Sequence, residues 1–157
     1  MDDTRSVNQP KPSGRVSAHP GTGTVASTAA ALSRLAALVS ELLWISEADH
    51  PWLVVRLGTG AELDLPHTLT AAASRVGCEV QRLVIENFFA RATHVQPYHT
   101  AADRITIERY QALVRFLTGE LANANVYRVG AIDVDVYAIG RSLEGEWVGV
   151  ATKVIET

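Results

Sequence analysis

The sequence predicts an α+β fold in which helices pack against a largely antiparallel sheet. Two segments carry apolar residues at helical spacing, one near the start of the chain and one at residues 103–121. The last third instead carries short alternating or β-branched segments separated by turn residues, a pattern typical of antiparallel strands. With 157 residues, of which 47% are hydrophobic and 20% charged, the chain fits one globular domain.

The first helix is predicted to begin at Ser27 or Thr28, because either hydroxyl can cap the free N–H groups of a helix. The apolar residues that follow at helical spacing are Leu32, Leu35, Leu38, Val39, Leu42, Leu43 and Ile45. Pro51 cannot continue a helix and biases the residue before it toward an extended conformation. Residues 46–50 are therefore predicted to form a loop that leaves the helix.

The middle of the chain is predicted to alternate strands and helices. Residues 52–57 are apolar and β-branched and precede a Gly-Thr-Gly turn, so they predict a strand. Residues 65–76 predict a short helix that ends at Gly77. A second strand is expected at 80–85, and the polar segment 90–102 is expected to be irregular.

The C-terminal third predicts a run of antiparallel strands. The last helix is expected to end at residues 123–125, where two asparagines interrupt the apolar pattern. Residues 132–137 alternate strictly, which predicts a strand with one face in water. A hairpin turn is expected at 142–146. Residues 147–155 carry apolar side chains on both faces, so this strand is expected to be covered on both sides.

The start of the chain has a different composition from the rest. Residues 1–26 contain three prolines and three glycines and few large apolar side chains. Such a segment buries too little apolar area to offset the conformational entropy lost on ordering. We therefore expect a disordered tail over residues 1–26 and a single folded domain over residues 27–157.

Charge, hydropathy and cysteine content exclude several classes of protein. A net charge of −3 argues against direct binding of nucleic acid, which needs clustered Lys and Arg. The sequence has no apolar run long enough for a membrane span and no secretory signal, so a cytoplasmic protein is the default expectation. The single cysteine, Cys78, permits no disulfide within the chain and is expected to be a small buried hydrophobic residue.

Four residues are candidates for metal binding. Asp133 and Asp135 lie two apart on a predicted strand and so share a face, where paired carboxylates could bind Mg²⁺. The alternating pattern favours a simpler interpretation, in which they are the polar half of that strand. His94 and His99 share one loop, but their spacing matches no standard metal site, and a solvated loop is the favoured interpretation.

The segment LLWISEADHPW, residues 42–52, places acids directly after an apolar stretch. Glu47 and Asp49 could act as an acid–base pair, with His50 as the neighbouring catalytic group. They could equally be solvated loop acids, or they could bind a partner. Trp52 neighbours this acidic loop and is interpreted as a core or rim residue that a partner could also contact.

Three stretches together resemble the nuclease A inhibitor family over roughly residues 30–157. They are LLWISEADHPW (42–52), FFARAT (88–93) leading to RYQALV (109–114), and VYRVGAIDVDVYAIG (126–140) with TKVIET (152–157). The resemblance implies a three-layer α/β/α sandwich without catalytic activity, without a cofactor and without a metal of its own. It also implies that the free protein is a monomer and that its partner is a sugar-non-specific ββα-metal nuclease, whose Mg²⁺-containing site the inhibitor plugs.

The resemblance also implies the residues that contact the partner. The glutamate of the family's Ser-Glu turn falls on Glu47, with Asp49 as the second acid of that turn, and the C-terminal threonine falls on Thr157. The tryptophan of the family's loop after Phe-Phe falls on Tyr98, a departure from the family pattern. The family has several acids after that tryptophan. The five residues after Tyr98 contain a single acid, Asp103.

Carboxylates on this scaffold could take the place of phosphate groups in a nuclease cleft. Such a cleft carries Mg²⁺ and cationic side chains, and hard oxygen ligands suit Mg²⁺. Glu47, Glu156 and the carboxylate of Thr157 would supply those oxygens, and Glu47 and Thr157 would approach the partner's Mg²⁺. Two alternatives stay open: a binding module of the same fold whose partner is not a nuclease, and a small metal-dependent enzyme.

Overall fold

The computed structural model describes residues 24–44, 46–59, 65–75 and 78–156 of the chain. Most of the predicted tail, residues 1–23, lies outside the described residues. So do Gly77, which was expected to end a helix, and Thr157, which was expected to contact a partner.

The described residues form five helices and seven strands. The helices are α1 (Thr28–Val39), α2 (Leu65–Ala72), α3 (Ile85–Phe88), α4 (Ala90–Thr93) and α5 (Ala101–Glu120). The strands are β1 (Leu43–Trp44), β2 (His50–Pro51), β3 (Leu53–Thr59), β4 (Val80–Leu83), β5 (Ala122–Val129), β6 (Asp133–Arg141) and β7 (Glu146–Ile155). Strands β3 to β7 form one sheet in the order β3-β7-β6-β5-β4, and β1 and β2 form a separate hairpin. All strand pairs are antiparallel, as the sequence predicts.

Alternate residues of the central strands enter two different apolar clusters. In β6, Val134, Val136 and Ala138 pack in a cluster with residues of α1 and α5. Tyr137 and Ile139 pack in a second cluster, which includes residues of α2. Because successive side chains of a strand point to opposite faces, the two clusters use the two faces of the strand.

Strand β7 is covered on both faces, which confirms the expectation from its apolar pattern. Trp147 belongs to the cluster with α2, whereas Val148, Val150 and Val154 belong to the cluster with α1 and α5. The turn between β6 and β7 is also confirmed, because the Ser142 N–H donates to the Glu146 carbonyl at 2.9 Å.

The first helix is shorter than predicted: α1 ends at Val39, not at Ile45. Ser40 leaves the helical conformation, and Glu41 adopts a φ of 59°. The guanidinium of Arg109 donates to the carbonyls of Leu38 and Ser40 and so satisfies groups that a helix end leaves without partners. The apolar run beyond Val39 therefore marks a change of structure rather than a longer helix.

The segment after α1 is a hairpin rather than a helix exit. Leu43 pairs with Pro51, and Trp44 pairs with His50. The loop of this hairpin contains Ser46, Glu47, Ala48 and Asp49. Leu42 is buried at 2% exposure while Leu43 is 45% exposed, so burial here alternates as in a strand. So short a run of apolar residues is compatible with either a helix or a strand.

Other boundaries differ from the predictions by a few residues. The strand expected at 80–85 ends at Leu83, and Ile85 begins α3. The segment 90–102, expected to be irregular, contains α4 and the first residues of α5. Strand β5 begins at Ala122, separated from α5 by Leu121. Asn123 adopts a φ of 54° beside a shift in pairing register. Cys78 is exposed, which contradicts the expectation that it is buried.

Candidate functional site

An aromatic cluster supports the hairpin that carries Glu47 and Asp49. Its members are Trp44, Trp52, Phe88, Phe89 and Tyr110. Trp44 stacks on Phe88 with ring centroids 4.9 Å apart, and it meets Trp52 edge-on at 5.8 Å. Trp44 belongs to strand β1 and Trp52 directly follows β2, so the base of the hairpin is packed into the core.

Tyr110 of helix α5 joins the two ends of the hairpin base by hydrogen bonds. Its hydroxyl donates to the carbonyl of Leu43 and accepts a hydrogen bond from Trp52 Nε1 at 3.0 Å. Burial raises the pKa of Tyr110 to about 12, so this hydroxyl stays protonated and can donate throughout the physiological range.

The loop of the hairpin is also bound to strand β7. Ser46 Oγ accepts a hydrogen bond from the Ile155 N–H at 3.3 Å and donates to the Ala48 carbonyl at 2.9 Å. The buried Thr152 hydroxyl donates to the Pro51 carbonyl at 2.8 Å. These bonds hold the acidic loop beside the last residues of β7.

The end of β7 has two further attachments. The Glu156 N–H donates to the Ile132 carbonyl at 2.8 Å, which continues the β6–β7 pairing past Ile155. The Glu156 carboxylate forms an ion pair with Arg128 of β5, with Oε2 2.5 Å from Nη2. Glu156 is therefore fixed through both its backbone and its side chain.

Between the hairpin, the helices and the end of β7 lies an open cleft of about 680 Å³. Its lining residues are Leu43, Trp44, Ser46, Glu47, Arg91, Ala92, His99, Asp103, Thr106, Ile107, Tyr110, Val154, Ile155 and Glu156. The lining combines apolar side chains with carboxylates from three separate parts of the chain. Such a surface can contact an apolar group and a cation together.

The cleft lining contains acids and bases. Glu47, Asp103 and Glu156 supply three carboxylates, and Arg91 and His99 supply a cation and an imidazole. The acids come from the hairpin loop, from the start of α5 and from the residue after β7. The lining is thus acidic on balance, with basic groups contributed by α4 and the segment before α5.

Asp103 belongs to a capping box at the start of α5. Its carboxylate accepts a hydrogen bond from the Thr100 N–H at 2.9 Å, and the Thr100 hydroxyl accepts one from the Asp103 N–H at 3.1 Å. The hydrogen bond from the Thr100 backbone is the main cause that lowers the pKa of Asp103. The carboxylate therefore keeps its negative charge at neutral pH.

Tyr98 lies in a neighbouring cavity rather than in the cleft. It is 78% exposed and lines a cavity of about 410 Å³ together with Arg91, His94 and His99. Arg91 and His99 line both cavities, so Tyr98 is close to the cleft without being part of its lining. The His99 ring meets the Tyr98 ring with centroids 4.7 Å apart and accepts a hydrogen bond from the Gln96 N–H at 2.9 Å.

The structure brings together some of the residues that the sequence singles out. Glu47 and Glu156 line the same cleft although they lie far apart in the chain. Their neighbours Ser46 and Ile155, which are 109 positions apart, are joined by a hydrogen bond. Asp49 is exposed in the same loop as Glu47 but is not part of the lining. Thr157 lies outside the described residues, and its placement stays a prediction.

Two of the four candidates for metal binding lie in a network of ion pairs. Asp133 and Asp135 form ion pairs with Arg75 and Lys153, with the closest contact at 2.7 Å between Arg75 Nε and Asp135 Oδ2. They are thus charged residues of this strand, as the simpler interpretation expects, but the expectation of a face in water is wrong beyond Asp135, because Tyr137 and Ile139 on the same face are buried. Among the residues that the structure describes, no group of three or more His, Cys, Asp or Glu side chains could hold a metal ion.

Three residues near the cleft have roles that sequence reasoning does not reveal. Arg128 pairs with Glu156, Tyr110 joins the ends of the hairpin base, and Arg91 lines the cleft. Arg128 gives the clearest local signal, because it is a charged residue in the otherwise uncharged segment VYRVG. Its partner could not be inferred, since the pairing depends on the order of strands in the sheet.

Comparison with known proteins identifies a family for most of the chain. A family model described as NuiA: Nuclease A inhibitor-like protein matches residues 29–157. Among curated proteins, no match was found. None of the helices in the described part of the chain has the length and apolar character needed to cross a membrane.

Proposed function

Because the chain belongs to the nuclease A inhibitor-like family, we propose that it is a non-catalytic inhibitor of a sugar-non-specific ββα-metal nuclease. It would occupy the Mg²⁺-containing active site of that enzyme. The observation that best supports this proposal is that Glu47 and Glu156, from distant parts of the chain, line one cleft. Two acids that can reach one partner surface satisfy the first requirement for mimicking a phosphate backbone.

The chemistry of the partner explains why carboxylates would inhibit it. A nuclease without sequence preference recognises phosphate, so its cleft presents Mg²⁺ and cationic side chains. Glu47 would place carboxylate oxygens where phosphate oxygens bind, and Thr157, which follows Glu156, would add further oxygens close to the partner's Mg²⁺. The bonds between Ser46 and β7 hold the loop in place before binding, which lowers the entropy cost of association.

Tyr98 and Asp49 complete the proposed contact surface. Tyr98 is exposed beside the cleft and offers an aromatic contact of the kind enriched at interface hot spots. Asp49 lies in the same loop as Glu47 and contributes a second negative charge to the approach of a cationic surface. Both side chains are accessible in the folded chain.

Apolar clusters on the two faces of the sheet fit the layered fold expected of the family. The two apolar clusters, one with α1 and α5 and one with α2, support the three-layer α/β/α sandwich that the family resemblance implies. A folded domain over 27–157, a monomeric free state and a cytoplasmic location stay predictions.

The proposal is tested by following DNA cleavage by a purified ββα-metal nuclease with and without the protein. Glu47→Gln keeps the shape of the side chain and removes its charge, and should weaken binding by about 2–5 kcal/mol. Glu108→Gln is the matched control, because Glu108 is an exposed acid of α5 outside the cleft lining. Equal inhibition by the Glu47→Gln and Glu108→Gln variants would remove Glu47 from the mechanism.

One observation favours a second candidate, a binding module whose partner is not a nuclease. Arg91 and His99 line the cleft beside the acids, so a purely cationic partner would meet basic groups as well. A partner with surface charges of both signs would fit such a lining. Affinity capture with the wild-type protein and with Arg91→Glu, followed by identification of the bound proteins, distinguishes a nuclease from a partner of mixed charge. A protein that binds the wild type but not the Arg91→Glu variant supports a partner of mixed charge.

A further inference from the structure

We infer that Arg128 is a positioning residue that holds the end of strand β7 beside the Glu47 loop, with Glu156 as its anchor. The consequence for inhibition rests on the proposed function, whereas the positioning itself does not. Arg128 is not part of the cleft lining, so it would act on the partner only through the residues that it holds.

Arg128 has a fixed place in the sheet. It pairs with Val136 of β6 on one side and with Gln81 of β4 on the other, so its backbone is fixed from both sides. Val136 in turn pairs with Thr152 of β7. Arg128 therefore lies on a strand in the interior of the sheet, and its side chain starts from a well-defined position.

The side chain of Arg128 extends along one face of the sheet towards Glu156. Val134 and Val154 pair with each other and form the next row on the face that carries Val136 and Thr152. Glu156 follows two residues after Val154, at the end of this face. The guanidinium of Arg128 reaches past that row to the Glu156 carboxylate, at 2.5 Å, and only 22% of the Arg128 side chain is exposed.

The ion pair is also the side-chain attachment of the end of β7. The Glu156 side chain is 45% exposed, and the Arg128 guanidinium balances its negative charge. Without Arg128, the end of β7 would lose this attachment and would depend on the backbone hydrogen bonds of Ile155 and Glu156.

The consequence is a division of roles between the two acids. Glu156 has one carboxylate oxygen bound to Arg128 and its N–H bound to the Ile132 carbonyl, so it holds the chain in place. Glu47 would then supply the main contact to the partner, with Glu156 beside it in the cleft lining. The neighbouring bond from the Ile155 N–H to Ser46 Oγ transmits the position of β7 to the acidic loop.

The test combines Arg128→Gln, Glu156→Gln and the double variant in the full chain, with two measurements. The first is hydrogen exchange of the Ile155 and Glu156 amides, which needs no partner. The second is the dissociation constant for a ββα-metal nuclease. We expect each single variant to raise exchange and to weaken binding by roughly tenfold, and the double variant to add little to either single change.

Two further variants separate positioning from general stability. Arg128→Lys keeps the charge and should retain most of the protection and the binding. Arg82→Gln is the control for the loss of a cation, since Arg82 lies on the adjoining strand β4, opposite Tyr127 on the other face of the sheet. The thermal midpoint of each variant shows whether lost binding follows from unfolding. If Arg128→Gln fails to fold, Glu156→Gln and Arg128→Lys carry the test.

The outcomes distinguish this inference from the proposed function. Unchanged amide exchange in Glu156→Gln, or fully additive effects of the two substitutions, would overturn the positioning role of Arg128. Faster exchange in the single variants supports that role even if the wild-type protein inhibits no nuclease, in which case only the proposed function fails. Faster exchange with an unchanged dissociation constant would show that the position of the β7 end does not matter for inhibition, and would overturn the consequence drawn for it.

Discussion

At the scale of single residues, Thr100 and Asp103 control the start of helix α5, and Asp103 also lines the cleft. The pKa of Asp103 is lowered from its ordinary value of 3.8, mainly by the hydrogen bond from the Thr100 N–H. A carboxyl group whose pKa is lower in the folded state stabilises the protein above its unfolded pKa, and this contribution is lost as the pH falls through the lowered pKa.

We therefore expect the free energy of unfolding to decrease on acidification below about pH 4, with part of that decrease due to Asp103. In Asp103→Asn the decrease should be smaller, because the titrating group is gone, although the variant starts from a lower stability at neutral pH. Denaturant unfolding at a series of pH values measures this. Glu108→Gln removes an acid of the same helix outside the capping box and serves as control; an identical pH dependence in both variants would exclude the Asp103 contribution.

Tyr110 offers a second test at this scale. Tyr110→Phe keeps the ring in the aromatic cluster but removes the hydroxyl that bonds the Leu43 carbonyl and Trp52 Nε1. Leaving a buried polar group without a partner costs about 1–3 kcal/mol, so we expect a loss of stability in that range. Thermal unfolding measures the loss. A variant as stable as the wild type would show that water or other groups replace the hydroxyl.

At the scale of elements, the close approach of β6 and β7 depends on Gly149. A Cβ atom at this position would lie 2.0 Å from the Ala138 carbonyl oxygen and 2.7 Å from the Ile139 Cα. Both atoms belong to the backbone of the central strand β6, which cannot move without disturbing its other neighbour. Gly149 is thus required by packing between strands, not by its backbone conformation.

Gly149→Ala should destabilise the protein by about 3 kcal/mol, the upper end of the usual range for overpacked sites, because a site in the middle of a sheet has little room to relax. Chemical denaturation of the purified variant measures the change, and failure to fold counts as the extreme of the same result. Since β7 also carries Val154, Ile155 and the attachment of Glu156, inhibition should be lost together with stability. A variant of near wild-type stability would show that β6 and β7 can separate locally.

Gly119 in helix α5, unlike Gly149, has room for a side chain. A Cβ atom there would meet nothing within 4 Å, and the residue lies in the last turn of a 20-residue helix. Gly119→Ala should stabilise the protein by about 0.5–1 kcal/mol, because alanine loses less conformational freedom than glycine in a helix. The same denaturation experiment measures the gain. A loss of stability instead would indicate a contact formed by the flexible glycine backbone.

At the scale of the whole molecule, the proposed association is electrostatic in its first stage. The chain has a net charge of −3, and its cleft lining is acidic on balance. Complementary charges mainly increase the rate of association. Salt should therefore slow binding to a nuclease more than it speeds dissociation.

Raising the salt concentration from about 0.1 M to about 1 M shortens the screening length from about 10 Å to about 3 Å. We expect the association rate constant to fall by roughly tenfold or more over this range. Stopped-flow or surface-based binding measurements separate the association and dissociation rates. Glu47→Gln should show a weaker dependence on salt than the wild type. An association rate independent of salt would favour an apolar interface and the binding-module alternative.

The periodicity of apolar residues determined α1, α5 and the β6–β7 hairpin, because the helical and strand repeats are local properties of the chain. The motifs around Glu47 and Arg128 also indicated the family, which the match over residues 29–157 confirms. The same local pattern was misleading at residues 43–51, where a short apolar run fits a helix or a strand equally well. There, hydrogen bonds from Arg109 and Tyr110, which are distant in sequence, decide for a hairpin.

Which side chains meet depends on the tertiary structure. That Glu47 and Glu156 line one cleft, and that Arg128 pairs with Glu156, follow from the strand order β3-β7-β6-β5-β4 and from the docking of the hairpin on β7. Strand order is set by contacts between residues far apart in the chain, and no local repeat encodes it. Local sequence patterns therefore predict the two long helices, most strands of the main sheet and the family, whereas the grouping of the acids arises from packing across the sheet.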